Sequence, residues 1–327
     1  MQNKKIIIAG GSGFIGRELC KFFSPNNEVI ILGRQVINEA NNTYGENALA
    51  PEDNFPVRHV MWDGIRQGDW TKEIEGAHLI INLAGKSVNC RYTQQNKRAI
   101  MDSRINATNA IGLAIRQATH PPLLWINAGS ATIYPHATDR PRDEQFTDFS
   151  DDFSVQVCKE WERAFYDNRT PFTRKCFLRL AITLGNGGVM VPYFNLLKFG
   201  LGGQQGNGQQ MYSWIHIDDV CHTIAWLAGN DELEGTFNCS SPEPVTNAAF
   251  MRTLRTATGT IIGLPAFTWM LRVGAFLIGT ETELILKSRW VLPTRLLGTG
   301  YQFRYPALST AIENIIAVTP RKRYRMW

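Results

Sequence analysis

The sequence predicts an α/β protein: a doubly wound parallel sheet with helices on both faces, followed by a smaller C-terminal lobe. Three observations predict this fold. Short apolar runs alternate with helical stretches through the first half of the chain. A glycine-rich turn joins the first apolar run to the first helix. After residue 185 the alternation ends, and loops and mostly helical sequence follow.

The apolar runs are typical of strands that are buried on both faces, as the strands of a parallel sheet are. A polar stretch at residues 38–54, rich in Asn and Glu, is expected to be a mobile loop. Helices are predicted at residues 14–23, 94–117 and 154–166. Strands are predicted at residues 5–8, 28–32, 57–61, 78–83, 123–128 and 173–182.

The second half of the chain is organised differently. A glycine-rich loop at residues 202–208 precedes an apolar strand that contains His216 and a helix that ends near residue 228. From residue 240 the sequence is mostly helical and is interrupted by prolines. We therefore assign residues 1–185 plus 213–240 to the sheet domain, residues 186–212 plus 241–320 to the C-terminal lobe, and residues 321–327 to a basic tail.

Composition limits the class of protein. Hydrophobic residues make up 44% and charged residues 19% of the 327 residues, which is ordinary for a soluble enzyme. The formal net charge is +5, but Arg321, Lys322, Arg323 and Arg325 of the tail supply four of these charges, so the body is nearly neutral. We therefore expect no nucleic-acid partner and interpret the tail as a solvated end rather than a binding arm.

Cysteine spacing and apolar run lengths predict a cytoplasmic protein with no metal site and no membrane partner. The first apolar run is too short for a signal-peptide core. The longest one, residues 264–278, contains Arg272 and is too short to span a bilayer. The six cysteines are scattered without a CxxC spacing, which indicates reduced thiols; they are Cys20, Cys90, Cys158, Cys176, Cys221 and Cys239.

The glycine-rich turn, GGSGFIG at residues 10–16, follows the first strand and opens the first helix. Gly10, Gly13 and Gly16 have the spacing of a dinucleotide-binding turn. The first glycine permits a tight turn, the second lets backbone approach a pyrophosphate, and the third lets helix and strand pack closely. The helix N-terminus then offers free N–H groups to the phosphates. The alternative is a tight strand–helix turn that binds nothing.

The end of the second strand distinguishes two cofactors. Binders of NAD place Asp or Glu there to hold the ribose 2′-hydroxyl, but this strand ends in Gly33 and Arg34. A guanidinium suits a 2′-phosphate because it forms paired, charge-assisted hydrogen bonds. The sequence therefore favours NADP(H), with a solvated loop position as the alternative for Arg34.

With this loop, the run Asn82-Leu83-Ala84-Gly85 and the run WIHIDD at residues 214–219, the chain resembles the extended short-chain dehydrogenase/reductase superfamily. More narrowly it is similar to the YfcH-like branch of NAD(P)-dependent epimerases, whose members are called SulA-type or nucleoside-diphosphate-sugar epimerases. The resemblance covers nearly the whole chain. The other segments that carry it are residues 103–104, 184–188, 200–203, 241–250 and 289–305, the last reading RWVLPTRLLGTGYQFRY.

The resemblance implies a Rossmann-type core that binds NADP(H), a C-terminal lobe that binds a small-molecule substrate and, by analogy with the superfamily, a homodimer. For Arg104, the alternative to a cofactor contact is an ordinary solvated helix face. The cofactor contacts that the resemblance implies are Gly10, Gly11, Ser12, Gly13, Phe14, Ile15, Gly16, Gly33, Arg34, Leu83, Ala84, Arg104 and Thr183.

The residues that follow the fifth strand, Ser130 to Tyr134, are similar to the Ser/Thr and VYG-like turn of the superfamily's catalytic site. Ser130 is a candidate hydrogen-bond partner for a substrate carbonyl or hydroxyl, and Tyr134 is a candidate lining residue of the cleft. The alternative is a turn in which Ser130 caps backbone groups and Tyr134 packs.

The superfamily's YxxxK motif has no counterpart here. Aligning Glu162 with the acid that usually follows the motif puts Ser154 at the Tyr position and Cys158 at the Lys position. Serine is too weak an acid for the tyrosine's role, and cysteine is never cationic. Lys159 lies one step, about 100°, round the helix. We interpret His216 as structural and Asp218 or Asp219 as a helix N-cap.

Two functions remain open. The first is an NADP(H)-dependent oxidoreductase or epimerase that acts by hydride transfer on a small polar substrate such as a nucleotide sugar. The second is an NADP(H)-binding regulator without turnover, for example of cell division.

Overall fold

The computed structural model describes residues 1–34, 55–271 and 287–325. The loop expected at residues 38–54 lies outside the described residues, as does the end of the apolar stretch from residue 272 onward. The strands are β1 Lys5–Ala9, β2 Glu28–Gly33, β3 Val57–Met61, β4 Leu79–Asn82, β5 Leu124–Ser130, β6 Arg174–Leu180, β7 Ile182–Leu184, β8 Met211–Tyr212, β9 Trp214–His216, β10 Gly235–Cys239 and β11 Val245–Thr246. The helices are α1 Phe14–Phe23, α2 Gln94–Gln117, α3 Phe153–Asp167, α4 Met190–Lys198, α5 Ile217–Gly229, α6 Asn247–Thr258, α7 Thr294–Gly298 and α8 Leu308–Val318.

Seven strands form one parallel sheet in the order β10-β6-β5-β4-β1-β2-β3, which confirms the predicted doubly wound α/β fold. The chain starts in the middle with β1, winds outward to β3, and then crosses to the other side of β1 with β4. The carboxyl ends of β1 and β4 therefore flank the point where the winding direction reverses. In open α/β sheets this switch point is where ligands bind.

The two faces of the sheet bury separate cores. Ile6 and Ile8 of β1 belong to one buried cluster, and Ile7 and Ala9 belong to the other. Successive strand residues point to opposite faces, so a strand covered on both sides must be apolar throughout. This explains why the strands could be predicted as continuous apolar runs.

A third buried cluster belongs to the C-terminal part of the chain, where α4, α6 and α8 pack together. The end of the chain joins it, because the ring of Tyr324 lies 5.8 Å from that of Phe194 and is buried. Arg325 donates hydrogen bonds to the carbonyls of Thr258 and Gly259 at the end of α6. The expectation of a solvated tail therefore holds for Arg321–Arg323, which are exposed in a short 3₁₀ turn, and fails for Tyr324, which is buried. Arg325 is exposed, although its side chain is bonded to the end of α6.

Two strand predictions differ from the structure. The run predicted at residues 173–182 divides at Ala181, whose N–H donates to the Cys239 carbonyl, and the chain after it leaves the main sheet as β7 and pairs with β9. The edge strand β10 was not predicted. It is only five residues long and begins with Gly235, and a glycine in so short a run weakens the strand pattern.

Candidate functional site

The glycine loop between β1 and α1 adopts the conformation that its spacing predicts. Gly10 has φ +79°, which favours glycine, and its N–H donates to the Leu32 carbonyl over 3.1 Å. A Cβ atom on Gly16 would lie 2.6 Å from the Cα of Gly11, so the helix packs too closely for any side chain. Gly13 differs, because the nearest atom to a Cβ there is the Gly10 oxygen at 3.5 Å. Gly10 and Gly16 are therefore required by the backbone conformation and packing of the loop, whereas Gly13 leaves the outer side of the loop open to a ligand.

The start of α1 is free to receive an anion. Its N-cap is Gly13, no side chain caps the helix, and its first turn contains no acid. Ser12 and Gly13 are exposed beside it. The first backbone N–H groups of an uncapped helix point outward with the positive end of the helix dipole. This geometry suits a phosphate group.

The loop after β4 touches the glycine loop directly. A Cβ on Gly10 would lie 3.0 Å from the Leu83 carbonyl carbon and 3.1 Å from the Ala84 nitrogen. Asn82, fully buried at the end of β4, accepts the Ala84 N–H and donates to Asn127 over 2.7 Å. From the sequence, Asn82 was known only as part of the Asn82–Gly85 motif. An asparagine at the end of an apolar strand was the signal for this buried network.

Arg104 lies beneath the same loop rather than on a solvated helix face. Its Nη1 donates to the carbonyls of Lys86 and Ile100 over 3.0 and 2.9 Å. The guanidinium carbon lies 5.1 Å from the ring centre of Trp161 on α3. Burial lowers the pKa of Arg104 from its ordinary value. The structure thus places a largely desolvated cation at the switch point.

The remaining predicted cofactor residues lie along the same edge of the sheet. Gly33 ends β2, and Arg34 follows it and is exposed. The Phe14 ring packs against the turn after β7, where added Cβ atoms on Gly185 and Gly188 would lie 2.7 and 2.9 Å from it. Thr183 is half-buried in β7, two residues before Gly185.

Ser130 ends β5 at this carboxyl edge, and its hydroxyl is engaged locally. Its Oγ accepts the Thr132 N–H over 3.1 Å and donates to the Thr132 hydroxyl over 2.9 Å. This is the capping arrangement that the sequence left open as the alternative. The side chain remains half-buried at this edge of the sheet.

Tyr134 is fully buried and does not line a cleft. Its hydroxyl accepts from Arg179 and has Asn238 Oδ1 and the Asp143 carbonyl as acceptors, all at 2.8–2.9 Å. Burial raises the pKa of Tyr134 to about 12, although Arg179 opposes the shift. Of the two interpretations that the sequence left open for Tyr134, this environment fits the packing one.

Arg179 ties together the elements around Ser130. Its Nε and Nη2 donate to the two carboxylate oxygens of Glu162 on α3 over 3.1 and 3.0 Å, while Nη1 donates to Tyr134. Arg179 is therefore paired with an acid inside the protein and is engaged on three sides.

The two positions at which the superfamily carries Tyr and Lys are both buried here. Ser154 and Cys158 lie on the inward face of α3. Burial raises the pKa of the Cys158 thiol to about 12, so it stays neutral. Neither residue is placed or charged to replace the missing motif.

His216, not Asp218 or Asp219, is the N-cap of α5, which corrects our expectation. Its Nδ1 accepts the Asp218 N–H over 3.1 Å. The Asp219 carboxylate instead accepts the N–H groups of Arg304 and Tyr305, and so fastens the C-terminal segment to α5. The structural interpretation of His216 is confirmed by its burial at 2% exposure.

Within residues 1–34, 55–271 and 287–325, no three His, Cys, Asp or Glu side chains converge on a metal-sized site. The helices in this same part of the chain are all too short or too polar to cross a bilayer.

The geometry defines a class of protein: an α/β fold with a dinucleotide-type glycine loop and an uncapped helix at the switch point of its sheet. The model of the NAD dependent epimerase/dehydratase family matches residues 6–154, and a domain of unknown function, DUF1731, matches residues 266–315. An epimerase family protein of Staphylococcus saprophyticus is 31% identical over 316 residues, covering 96% of this chain and 99% of the relative. The chain belongs to this epimerase family.

Solved structures agree with this assignment. The human epimerase family protein SDR39U1, crystallised with NADPH, is 26% identical, with a TM-score of 0.80 over 96% of this chain and 99% of its own. A UDP-N-acetylglucosamine 4-epimerase from Methanobrevibacter ruminantium has a TM-score of 0.75 over 97% of this chain and 98% of its own. At 14% identity it shows the fold alone.

Proposed function

We propose that the protein binds NADP(H) and uses it as an oxidoreductase or epimerase on a small polar substrate, with nucleotide sugars as the candidate class. The observation that carries the proposal is the pairing of an open, uncapped glycine loop with Arg34 at the end of β2, where a binder of NAD would carry an acid. The human relative that was crystallised with NADPH supports the same cofactor.

Each group at the site has a distinct task in this proposal. The amides at the start of α1 hold the pyrophosphate, and Arg34 holds the 2′-phosphate. Arg104 supplies positive charge beside the loop after β4. NADP(H), when bound, supplies or accepts a hydride. Ser130 turns its hydroxyl from Thr132 to the substrate oxygen, which costs the protein one local hydrogen bond.

Calorimetric titration tests the cofactor. Arg34→Glu is expected to weaken NADPH binding at least tenfold, since it replaces a charge-assisted pair worth about 1.5–3 kcal/mol with repulsion. NADH lacks the 2′-phosphate, so its affinity should change little. Equal weakening of both cofactors would refute the assignment of Arg34.

One observation favours the second function, an NADP(H)-binding regulator without turnover. The superfamily's acid/base pair is replaced by the buried Ser154 and Cys158, and Tyr134 is locked in the core. Such a protein would bind the cofactor through the same glycine loop and transfer no hydride.

Isotope transfer separates the two functions. The protein is incubated with NADPH deuterated at the transferable position and a cytosolic metabolite extract, and the label is followed by mass spectrometry. An enzyme moves deuterium into a metabolite, and Ser130→Ala should bind NADPH normally but lose this transfer. Tight NADPH binding with the label fully retained would identify the regulator.

A further inference from the structure

The C-terminal ends of α4 and α6 carry large apolar side chains that nothing in the described chain covers. Phe199 is 68% exposed and Ile261 is 97% exposed, and Ile262 and Leu264 are both more than half exposed. Isolated exposed apolar residues are ordinary, but a contiguous group marks a surface that contacts something else.

These side chains form one surface because their backbones run side by side. Leu264 donates its N–H to the Gly200 carbonyl over 3.0 Å, and Gly203 donates back to the Leu264 carbonyl over 3.0 Å. The side chain of Ile262 lies 3.3 Å from where a Cβ on Gly200 would be, directly after Phe199. We call Phe199, Ile261, Ile262 and Leu264 the apolar ridge.

Cations surround the apolar ridge. Arg325 is held at the end of α6 by its hydrogen bonds to the carbonyls of Thr258 and Gly259. Gly259 lies two residues before Ile261 in the sequence. The exposed Arg321–Arg323 turn precedes it, and Arg255 donates to the Gly202 carbonyl and lies against Gly263, between Ile262 and Leu264. The two stretches of chain that build the ridge, residues 186–212 and 244–271, contain no acidic residue.

We propose that the apolar ridge and its basic rim dock on a membrane surface rich in anionic phospholipid. Apolar side chains that enter the headgroup region next to Lys and Arg match such a surface in both hydrophobicity and charge. A second copy of this chain is a poor partner for the apolar ridge, because a two-fold contact would bring the two basic rims together and they would repel each other. The proposal departs from our expectation of no membrane partner, which rested on the lack of a spanning segment.

Vesicle sedimentation tests the proposal with the full chain. The fraction that pellets is measured with vesicles of phosphatidylcholine plus phosphatidylglycerol and with phosphatidylcholine alone. The protein is expected to pellet with the anionic vesicles only, and less at high salt. Ile261→Ser/Ile262→Ser and Lys322→Glu/Arg323→Glu should each weaken partitioning at least roughly tenfold.

Phe172→Ser and Arg66→Glu are the matched controls, since both residues are exposed on the sheet domain and far along the chain from the ridge. These two variants should pellet with anionic vesicles to the same extent as the wild type, and circular dichroism checks that every variant is folded. No pelleting with anionic vesicles, or the same loss in the controls, would overturn the proposal. A dimer in sedimentation velocity that Ile261→Ser/Ile262→Ser dissolves, without vesicle binding, would assign the ridge to a second copy instead.

Discussion

Gly13 and Gly16 belong to one motif but have different surroundings. A side chain at Gly16 would collide with the backbone of Gly11, whereas a side chain at Gly13 would meet no atom closer than 3.5 Å. Gly13 also has ordinary extended backbone angles, φ −76° and ψ 172°. Gly16 is therefore required by packing, and Gly13 by what approaches the loop from outside.

This difference predicts opposite effects of two alanine substitutions. Gly16→Ala should lower the free energy of unfolding by about 1–3 kcal/mol through overpacking and weaken NADPH binding as well. Gly13→Ala should leave unfolding in urea unchanged but weaken NADPH binding, because its methyl group takes the place of a phosphate. If Gly13→Ala binds NADPH like the wild type in a fluorescence titration, the open face of the loop is not the phosphate site.

At the scale of elements, the turn after β5, helix α3 and strand β6 are held together by one buried group. Arg179 of β6 binds Glu162 of α3 with two hydrogen bonds and Tyr134 of the turn with a third. Both side chains of the ion pair are largely buried, at 7% and 15% exposure. The position of Ser130 therefore depends on contacts among three elements that are distant in sequence.

Removing Arg179 should be costly because it leaves the Glu162 carboxylate buried without its partner. We expect Arg179→Met to lower the free energy of unfolding by about 3–5 kcal/mol. Arg163→Met breaks an exposed pair with Glu160 on the same helix and is the control, with little change expected. If the two variants show equal urea midpoints, Arg179 does not hold these elements together.

At the scale of the whole molecule, α5 joins the sheet domain to the C-terminal segment through His216 and Asp219. The His216 ring packs against the Tyr305 ring, with centres 4.1 Å apart and planes tilted by 39°, while Asp219 accepts hydrogen bonds from the backbone of the same segment. Burial lowers the pKa of His216 below its ordinary value of 6.5; Asp218 opposes this shift and Arg304 adds to it. Folding is therefore linked to the protonation of this histidine.

The linkage has a definite sign. The unfolded chain takes up a proton near pH 6.5 that the folded protein excludes, so the contribution of His216 is complete above that pH and is lost as the pH falls below it. Between about pH 7.5 and about pH 5, the wild type should lose up to about 1.4 kcal/mol per pH unit more than His216→Asn, which retains a capping side chain. Parallel urea-unfolding profiles for wild type and His216→Asn would contradict the linkage.

The sequence by itself determined the sheet, its glycine loop and the family, because these depend on local patterns. A strand buried on both faces must be apolar along its length, and a turn with φ +79° at Gly10 favours glycine. The end of β2 lies at the same edge of the sheet as this loop in any doubly wound sheet, so the position of Arg34 could be predicted, while its cofactor contact stays a prediction.

Only the tertiary structure decided how the candidate catalytic groups are used. Tyr134 has the same sequence neighbours whether it lines a cleft or packs, and it is buried because Arg179 and Asn238 reach it from β6 and β10. The tail appeared solvated because its charges are visible in sequence, whereas Tyr324 is buried against Phe194 of α4, which lies far earlier in the chain. Such choices depend on long-range contacts, which no local pattern in the sequence records.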